Sequence, residues 1–278
     1  MGAIVAWAAD DFRARGIDNP RLDAEVIVAF ALGLTRMQLI LDRERVLVGA
    51  ELDTLRALVK RRRAREPVAY LRGFREFFGR EFRVDSSVLV PRPDTEALVE
   101  VALERTRSCS MYGRVIDLCT GSGCVAITIA RERPTMQVTA TDVSARALLV
   151  AQENALRLGA CGIGFREGDL FAGAPGPYEL VTANPPYIPS GDIPGLDADV
   201  RDFEPRIALD GGNDGLAILR RVVEDAPDHL VGGGVLAVEI GADQGHAVRA
   251  MFEASGFARV EIRRDHGGHD RVVSGVYG

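Results

Sequence analysis

Lysine is almost missing from the 278-residue chain: Lys60 stands alone, and the remaining positive charge is arginine, which we read as coding bias rather than mechanism. Cysteine is scarce too. Cys109, Cys119, Cys124 and Cys161 form no CxxC pair and have no histidine at zinc-ligand spacing, so buried reduced thiols and no metal are expected. No apolar stretch reaches the ~18 uncharged residues that a membrane span needs. The first sixteen residues lack a basic segment ahead of their apolar stretch and reach Asp10 and Asp11 early, so they read as a helix, not a signal peptide. A cytoplasmic protein without a membrane partner is the expectation. The G-x-S-x-G elbow of serine hydrolases is also absent.

What is present suits a globular chain. Hydrophobic residues make up 47% and charged residues 27%, enough for a real core. At roughly 150 residues per domain the length allows about two domains. The net charge of −6 argues against a broad nucleic-acid surface, but the charge is uneven. Residues 1–75 hold 14 basic and 10 acidic side chains; residues 76–278 hold 20 and 30. The run Lys60-Arg61-Arg62-Arg63-Ala64-Arg65 is either a solvated last helical turn or a docking surface for an acidic protein or RNA.

The pattern changes along the chain. The first 75 residues look helical: Asn19-Pro20 is a start signal, and Leu52, Leu55, Leu58 and Val59 mark a stripe on a helix over 51–65. Aromatic and β-branched residues around Gly79 predict a short hairpin over 76–90. After Pro91-Arg92-Pro93-Asp94-Thr95-Glu96 a helix is expected to run to about Arg107. Strands are predicted at 114–118, 137–142, 164–167, 179–183 and 234–240, with helical stretches between the first four. Such alternation builds a parallel sheet covered on both faces. The last two strands, 258–263 and 271–277, should pair as an antiparallel edge hairpin.

Three turns after strands carry the chemistry. Cys119-Thr120-Gly121-Ser122-Gly123 joins a strand to a helix, where missing Cβ atoms and free N–H groups admit a ligand; a glycine turn with only a packing role is the alternative. Asp142 ends the next strand and can accept both hydroxyls of a ribose. The pyrophosphate fingerprint G-x-G-x-x-G is not met, which disfavours a dehydrogenase. Gly168-Asp169-Leu170-Phe171 follows the third strand, where Asp169 could accept from an exocyclic amine while Leu170 or Phe171 packs on a ring. Asn184-Pro185-Pro186-Tyr187 follows the fourth. Two prolines stop the ladder and stiffen the loop, fixing the Asn184 side chain and the Pro185 carbonyl as paired acceptors for one planar NH2 group, with Tyr187 as a flat wall. His266 and His269 sit in a glycine loop without a third predicted ligand and read as solvent-facing.

A glycine turn, a strand-end acid and NPPY in this order resemble the class I S-adenosylmethionine-dependent methyltransferases that modify planar nitrogen. The match is closest to the HemK/PrmC family, the protein-(glutamine-N5) methyltransferases that act on peptide chain release factors. It spans essentially the whole chain: Pro20–Glu25, Arg65–Leu71, Pro91–Glu96, Asn184–Tyr187, Phe203-Glu204-Pro205, Asp214-Gly215, Arg264-Asp265 and Asp270–Val272. NPPY alone is shared with adenine-N6 DNA methyltransferases; PRPDTE together with NPPYI is much more specific. The family often has Gly where Cys119 stands. A Cys variant is similar to relatives that methylate a ribosomal-protein glutamine, but these break the PRPDTE pattern kept here.

The resemblance implies an α/β Rossmann-like class I methyltransferase: a seven-stranded, mostly parallel sheet with an antiparallel C-terminal hairpin, preceded by a small helical N-terminal domain. The implied division is a helical substrate-recognition domain (1–75), a hairpin linker (76–92) and the methyltransferase domain (93–278). S-adenosylmethionine would meet Cys119–Gly123, Asp142, Asp169, Leu170 and Asn184, leaving S-adenosylhomocysteine as product. The glutamine of the Gly-Gly-Gln tip would meet Asn184, Pro185, Pro186 and Tyr187, with Asn184, Pro185 and Tyr187 catalytic. Release factors are the implied partners and no stable nucleic-acid partner is expected. A ribosomal-protein glutamine, and less so DNA adenine, are the alternative substrates. The long connection 188–215 should shape the peptide entrance.

Overall fold

A computed structural model describes residues 1–107 and 113–278; Cys109 lies outside them. The chain divides into two units, Met1–Phe74 with Asp197–Phe203, and Arg75–Leu196 with Glu204–Gly278.

The first unit contains α1 (Gly2–Ala14), α2 (Pro20–Ala31), α3 (Arg36–Leu41), α4 (Gly49–Arg63) and α5 (Val68–Arg72). Pro20 starts α2 as expected, but Asn19 makes no side-chain cap. The unforeseen α3 is closed by a capping box: Thr35 Oγ1 accepts from Gln38 N and Gln38 Oε1 from Thr35 N. Ala8, Phe12, Ala24, Ile27 and Val59 form a core here.

The basic run at the end of α4 is neither simply solvated nor free for docking. Arg61 pairs with Glu66, and Arg63 makes two 2.7 Å bonds to Asp11 while its guanidinium lies over the Trp7 ring. Arg62 is buried between Asp23 at 2.8 Å and Asp199 at 2.7 Å. Arg65 also reaches Asp199, at 3.1 Å. Asp199 lies on α9 (Ala198–Arg201), part of the long connection after NPPY. The helical unit is therefore discontinuous in sequence: besides the Glu66 carbonyl at 3.1 Å, buried Arg62 takes one carboxylate from α2 and one from far along the chain.

The second unit opens at Arg75 within a hairpin, β1 (Phe74–Phe77) and β2 (Arg80–Arg83). Phe77 and Phe82 are fully buried in the core it shares with α6 (Glu96–Arg105) and α7 (Cys124–Glu132). The sheet contains β3 (Arg114–Leu118), β4 (Gln137–Asp142), β5 (Gly164–Glu167), β6 (Tyr178–Ala183), β7 (Leu230–Glu239), β8 (Phe257–Arg264) and β9 (Asp270–Tyr277). Its order is β5-β4-β3-β6-β7-β9-β8, with only the β9 pairings antiparallel. The remaining helices are α8 (Ala145–Arg157), α10 (Ala217–Asp225) and α11 (Gly245–Ala254).

Successive strand residues feed opposite layers, as a pleated strand must. Val115, Leu180, Val235 and Ala237 join the core under α6 and α7; Ile116, Val181, Leu236 and Val238 join the one under α10 and α11. The chain leaves β3 outward through β4 and β5, then returns to β6 on the other side. This topological switch opens a crevice beyond the C-terminal ends of β3 and β6.

Of the described cysteines, Cys124 is buried as expected, Cys119 is half-buried and Cys161 is exposed. Among the described residues no helix is long and apolar enough to cross a membrane, and no group of three or more His, Cys, Asp or Glu could hold a metal ion.

Candidate active site

The crevice holds a cavity of about 640 Å³, within the usual size for a small-molecule site. Its wall brings together Cys119, Thr120, Gly121, Ser122, Asp142, Asp169, Leu170, Asn184 and Pro186. Of the predicted site residues, Gly123, Pro185 and Tyr187 are not part of that wall.

The turn after β3 is pinned from below. Thr120 donates to Asp117 Oδ2 at 2.6 Å and Thr182 to Asp117 Oδ1 at 2.7 Å. Asp117 is fully enclosed, and burial pushes its carboxyl up to about 6 despite these hydroxyls. Asn154, also buried, ties α8 to Ser122 O at 2.9 Å and to the Arg83 backbone. The two glycines differ in purpose. At Gly121 (φ +53) a Cβ would meet open space, so its face is clear for a ligand. At Gly123 (φ +79) a Cβ would sit 2.9 Å from Ile127 Cδ1 and 3.0 Å from the Ala151 Cβ, so glycine there serves α7–α8 packing. Cys119 also takes a left-handed φ of +55, which glycine adopts without strain. Burial first, then the carboxylates of Asp142, Asp117 and Asp169, push its thiol up, so it is no nucleophile.

Asp142 Oδ2 accepts from Gly121 N and Oδ1 from Ser144 N, both at 2.9 Å. Burial raises its carboxyl against those bonds. Each oxygen keeps a lone pair for further donors. Asp169 lines the cavity and is exposed; its Oδ2 pairs with Arg221 at 2.8 Å. Leu170 lines the cavity at a φ of +54, whereas Phe171 stacks on His229 at 4.2 Å inside the core.

The NPPY corner follows β6. Asn184 Nδ2 donates to Thr95 Oγ1 at 3.3 Å, leaving Oδ1 as the acceptor available to a ligand. Tyr187 turns its hydroxyl to Glu239 Oε1 at 3.2 Å instead of walling the cavity. Burial beside that carboxylate pushes the phenol up, so it donates. Gln244, unmarked in the sequence, holds the corner: Nε2 donates to Tyr187 O at 2.9 Å and Gly215 O at 3.3 Å, and Oε1 accepts from Gly241 N at 2.9 Å. Gly215 comes so close that a Cβ would lie 2.4 Å from Tyr187 O. Two sequence motifs also meet here: Arg92 of PRPDTE pairs at 2.6 Å with the buried Glu204.

A doubly covered sheet with a ligand cavity at its switch point, lined by a glycine turn, a strand-end acid and a rigid asparagine, defines a class I methyltransferase. Comparison with known proteins agrees. A profile of the PrmC N-terminal domain matches residues 3–73, and one of the methyltransferase small domain matches residues 93–193. A release factor glutamine methyltransferase of Geobacter sulfurreducens is 41% identical over 276 residues, covering 99% of this chain and 96% of its own. One from Moorella thermoacetica is 45% identical over 261 residues, covering 93% and 92%. The solved 16S rRNA N2 G1207 methyltransferase of T. thermophilus, in complex with AdoMet and guanosine, shares the fold at a TM-score of 0.53 and 16% identity, over 74% of this chain and 50% of that one. The chain belongs to the release factor glutamine methyltransferase family.

Proposed function

We propose that this enzyme transfers the methyl group of S-adenosylmethionine to N5 of the glutamine side chain in the Gly-Gly-Gln tip of peptide chain release factors, releasing S-adenosylhomocysteine. The observation that carries the reading is that Asn184 shares one cavity wall with Gly121 and Asp142, its NH2 already engaged by Thr95. The cavity suits the methyl donor: Gly121 leaves room for close backbone approach, and Asp142 offers a half-buried carboxylate for ribose hydroxyls. Cys119, Thr120, Ser122 and Leu170 would complete that half. When bound, the donor supplies an electrophilic sulfonium methyl.

An amide nitrogen is a poor nucleophile because its lone pair is delocalised into the carbonyl. The task of the protein is therefore alignment. We assign the two N–H bonds of the glutamine to Asn184 Oδ1, on the cavity wall, and to the carbonyl of Pro185, the next residue in the chain but not itself in that wall. Orientation of this kind supplies up to about 7–11 kcal/mol in favourable systems. The same oxygens favour the positive charge that grows on nitrogen during transfer. None of the four histidines lines the cavity, and no base is required before attack, since the proton can leave to water afterwards.

The excess of acidic side chains in residues 76–278 opposes a DNA substrate, whose phosphates require cations. The connection 188–215 includes Asp197–Phe203, which belong to the helical unit. The test is transfer of labelled methyl from S-adenosylmethionine to a release factor, a ribosomal protein and DNA in parallel. Label in the release factor glutamine alone is expected; preferential label in either of the others refutes the assignment.

A further inference from the structure

The cavity has a second wall that the turns after the strands do not supply. Ser87, Leu89 and Arg92 come from the segment ahead of α6; Pro205, Ile207 and Ala208 come from the limb on which the chain, after Phe203, belongs to this unit again. Both segments adjoin the NPPY corner. Thr95 N donates to Arg92 O at 3.2 Å, and Thr95 Oγ1 accepts from Asn184 Nδ2. Ile188, the residue after Tyr187, bridges the limb: its N donates to Leu209 O at 3.0 Å, and its O accepts from Gly211 N at 2.8 Å. The limb is built, not slack. Arg206–Ala208 is a 3₁₀ turn, and Asp210 behind it accepts from Gly212 N at 3.1 Å, from Arg206 at 3.1 Å and from the Ser190 hydroxyl.

Glu204 joins the two segments. Its side chain is 1% exposed. Oε1 accepts from Arg92 at 2.6 Å and Oε2 from Val90 N at 3.3 Å. A buried carboxylate is stable only where donors meet its oxygens, so this one fixes the separation of segment and limb. Just beyond it Ile207 lines the cavity while 61% exposed. With half-buried Leu89, Pro205 and Ala208 it forms an apolar face in the cavity that also holds Asn184.

We infer that this wall seats the main chain of the protein substrate next to its glutamine, with Ile207 as a contact residue and Glu204 as a positioning residue that acts through the limb. The occupant follows from continuity with the site. A glutamine side chain is short, so a substrate that gives its amide to Asn184 must lay its own backbone against the rim of the same cavity. The methyl donor does not need this face: its ribose and carboxylate call for polar partners, which Asp142 and the turn after β3 supply. Ile207, in water until substrate arrives, is then covered by it, and the gain appears as substrate affinity.

The inference rests on the release factor reading of the site. Steady-state methyl transfer to intact release factor, S-adenosylmethionine affinity and melting temperature are measured for the wild type, Glu204→Gln, Ile207→Ala and the double variant. An amide has one acceptor oxygen where the carboxylate has two, so Glu204→Gln sets an NH2 against Arg92 or Val90 N and releases the limb. Ile207→Ala should raise KM for release factor about 10-fold at unchanged kcat, as the loss of apolar contact made equally in ground and transition states does. Glu204→Gln should raise it at least as much. The double variant should match Glu204→Gln alone, because a displaced limb no longer presents Ile207. S-adenosylmethionine affinity should be unchanged throughout. A wild-type KM in Ile207→Ala, singles whose effects multiply in the double variant, or a fall in cofactor affinity that parallels the rise in KM each overturns the inference. Should Glu204→Gln not fold, Ile207→Ala, at an exposed position, decides it. A wild type that methylates no release factor rejects the underlying reading; a wild type that does, beside an Ile207→Ala of unchanged KM, rejects only the seat.

Discussion

Gly215 and Gly173 share a φ of +74 but differ in what surrounds them, and this isolates the backbone packing that holds the NPPY corner. A Cβ at Gly173 meets nothing within 4 Å; at Gly215 it meets Tyr187 O at 2.4 Å, Gln244 Nε2 at 2.8 Å and Pro189 Cδ at 3.1 Å. Alanine at either site bears the left-handed strain, about 1–2 kcal/mol. Only at Gly215 does overpacking add to it, by about 1–3 kcal/mol. The atom met first is a backbone carbonyl, which cannot rotate away, so relief must come from moving the corner. Gly215→Ala should therefore cost about 2–5 kcal/mol, Gly173→Ala about 1–2 kcal/mol. Calorimetric unfolding gives the stability difference, and steady-state methyl transfer gives the consequence. Gly215→Ala should lose kcat while binding S-adenosylmethionine normally, because Gly121 and Asp142 are untouched. Equal destabilisation of the two variants with equal kcat would refute the idea that Gly215 fixes the corner by close approach.

Two further outcomes follow. Arg62→Ala leaves Asp23 and Asp199 without their shared buried cation; burial already outweighs Arg62 and pushes Asp23 up, so the loss should approach the 3–5 kcal/mol typical of a broken buried pair. Denaturant unfolding followed at Trp7, the only tryptophan and part of that unit, should show the drop; an unchanged midpoint counts against the role given to the buried Arg62. Glu239 and Asp117 both ionise at higher pH in the folded chain than in the unfolded one, so the native state binds extra protons between about 4 and 7. Their contribution is full below about 4 and is lost as pH rises through the folded values, and Glu239→Gln should shrink the stability drop between pH 5 and 8 by about 2–3 kcal/mol. An unaltered pH dependence of the melting temperature in that variant contradicts the burial argument.

The parallel part of the sheet was legible because short strand-like runs alternate with amphipathic helical stretches. The predicted strands at 114–118, 137–142 and 164–167 coincide with β3, β4 and β5. β7 begins at Leu230, earlier than expected, since Gly232, Gly233 and Gly234 carry no hydrophobic signal. Cavity placement was legible where a single residue ends a strand, as at Asn184 and Asp142, and illegible where the geometry depends on distant pairs. Nothing near Gln244 in the chain hints at Tyr187 O, and nothing near Asp199 hints at Arg62. Gly123 shows the reverse: its residue type suits a ligand turn, yet a Cβ there would meet Ile127 and Ala151, so it packs two helices and lies outside the cavity wall. The arginine run misled for the same reason, because Asp11, Asp23 and Asp199 neutralise it only after folding.

Asn184 bears the central claim. Asn184→Ala removes the side-chain oxygen of the clamp and leaves Gly121 and Asp142 in place. With release factor and labelled S-adenosylmethionine, the account predicts no methyl incorporation into the glutamine and a largely retained cofactor affinity. Turnover at the wild-type rate by that variant would contradict it.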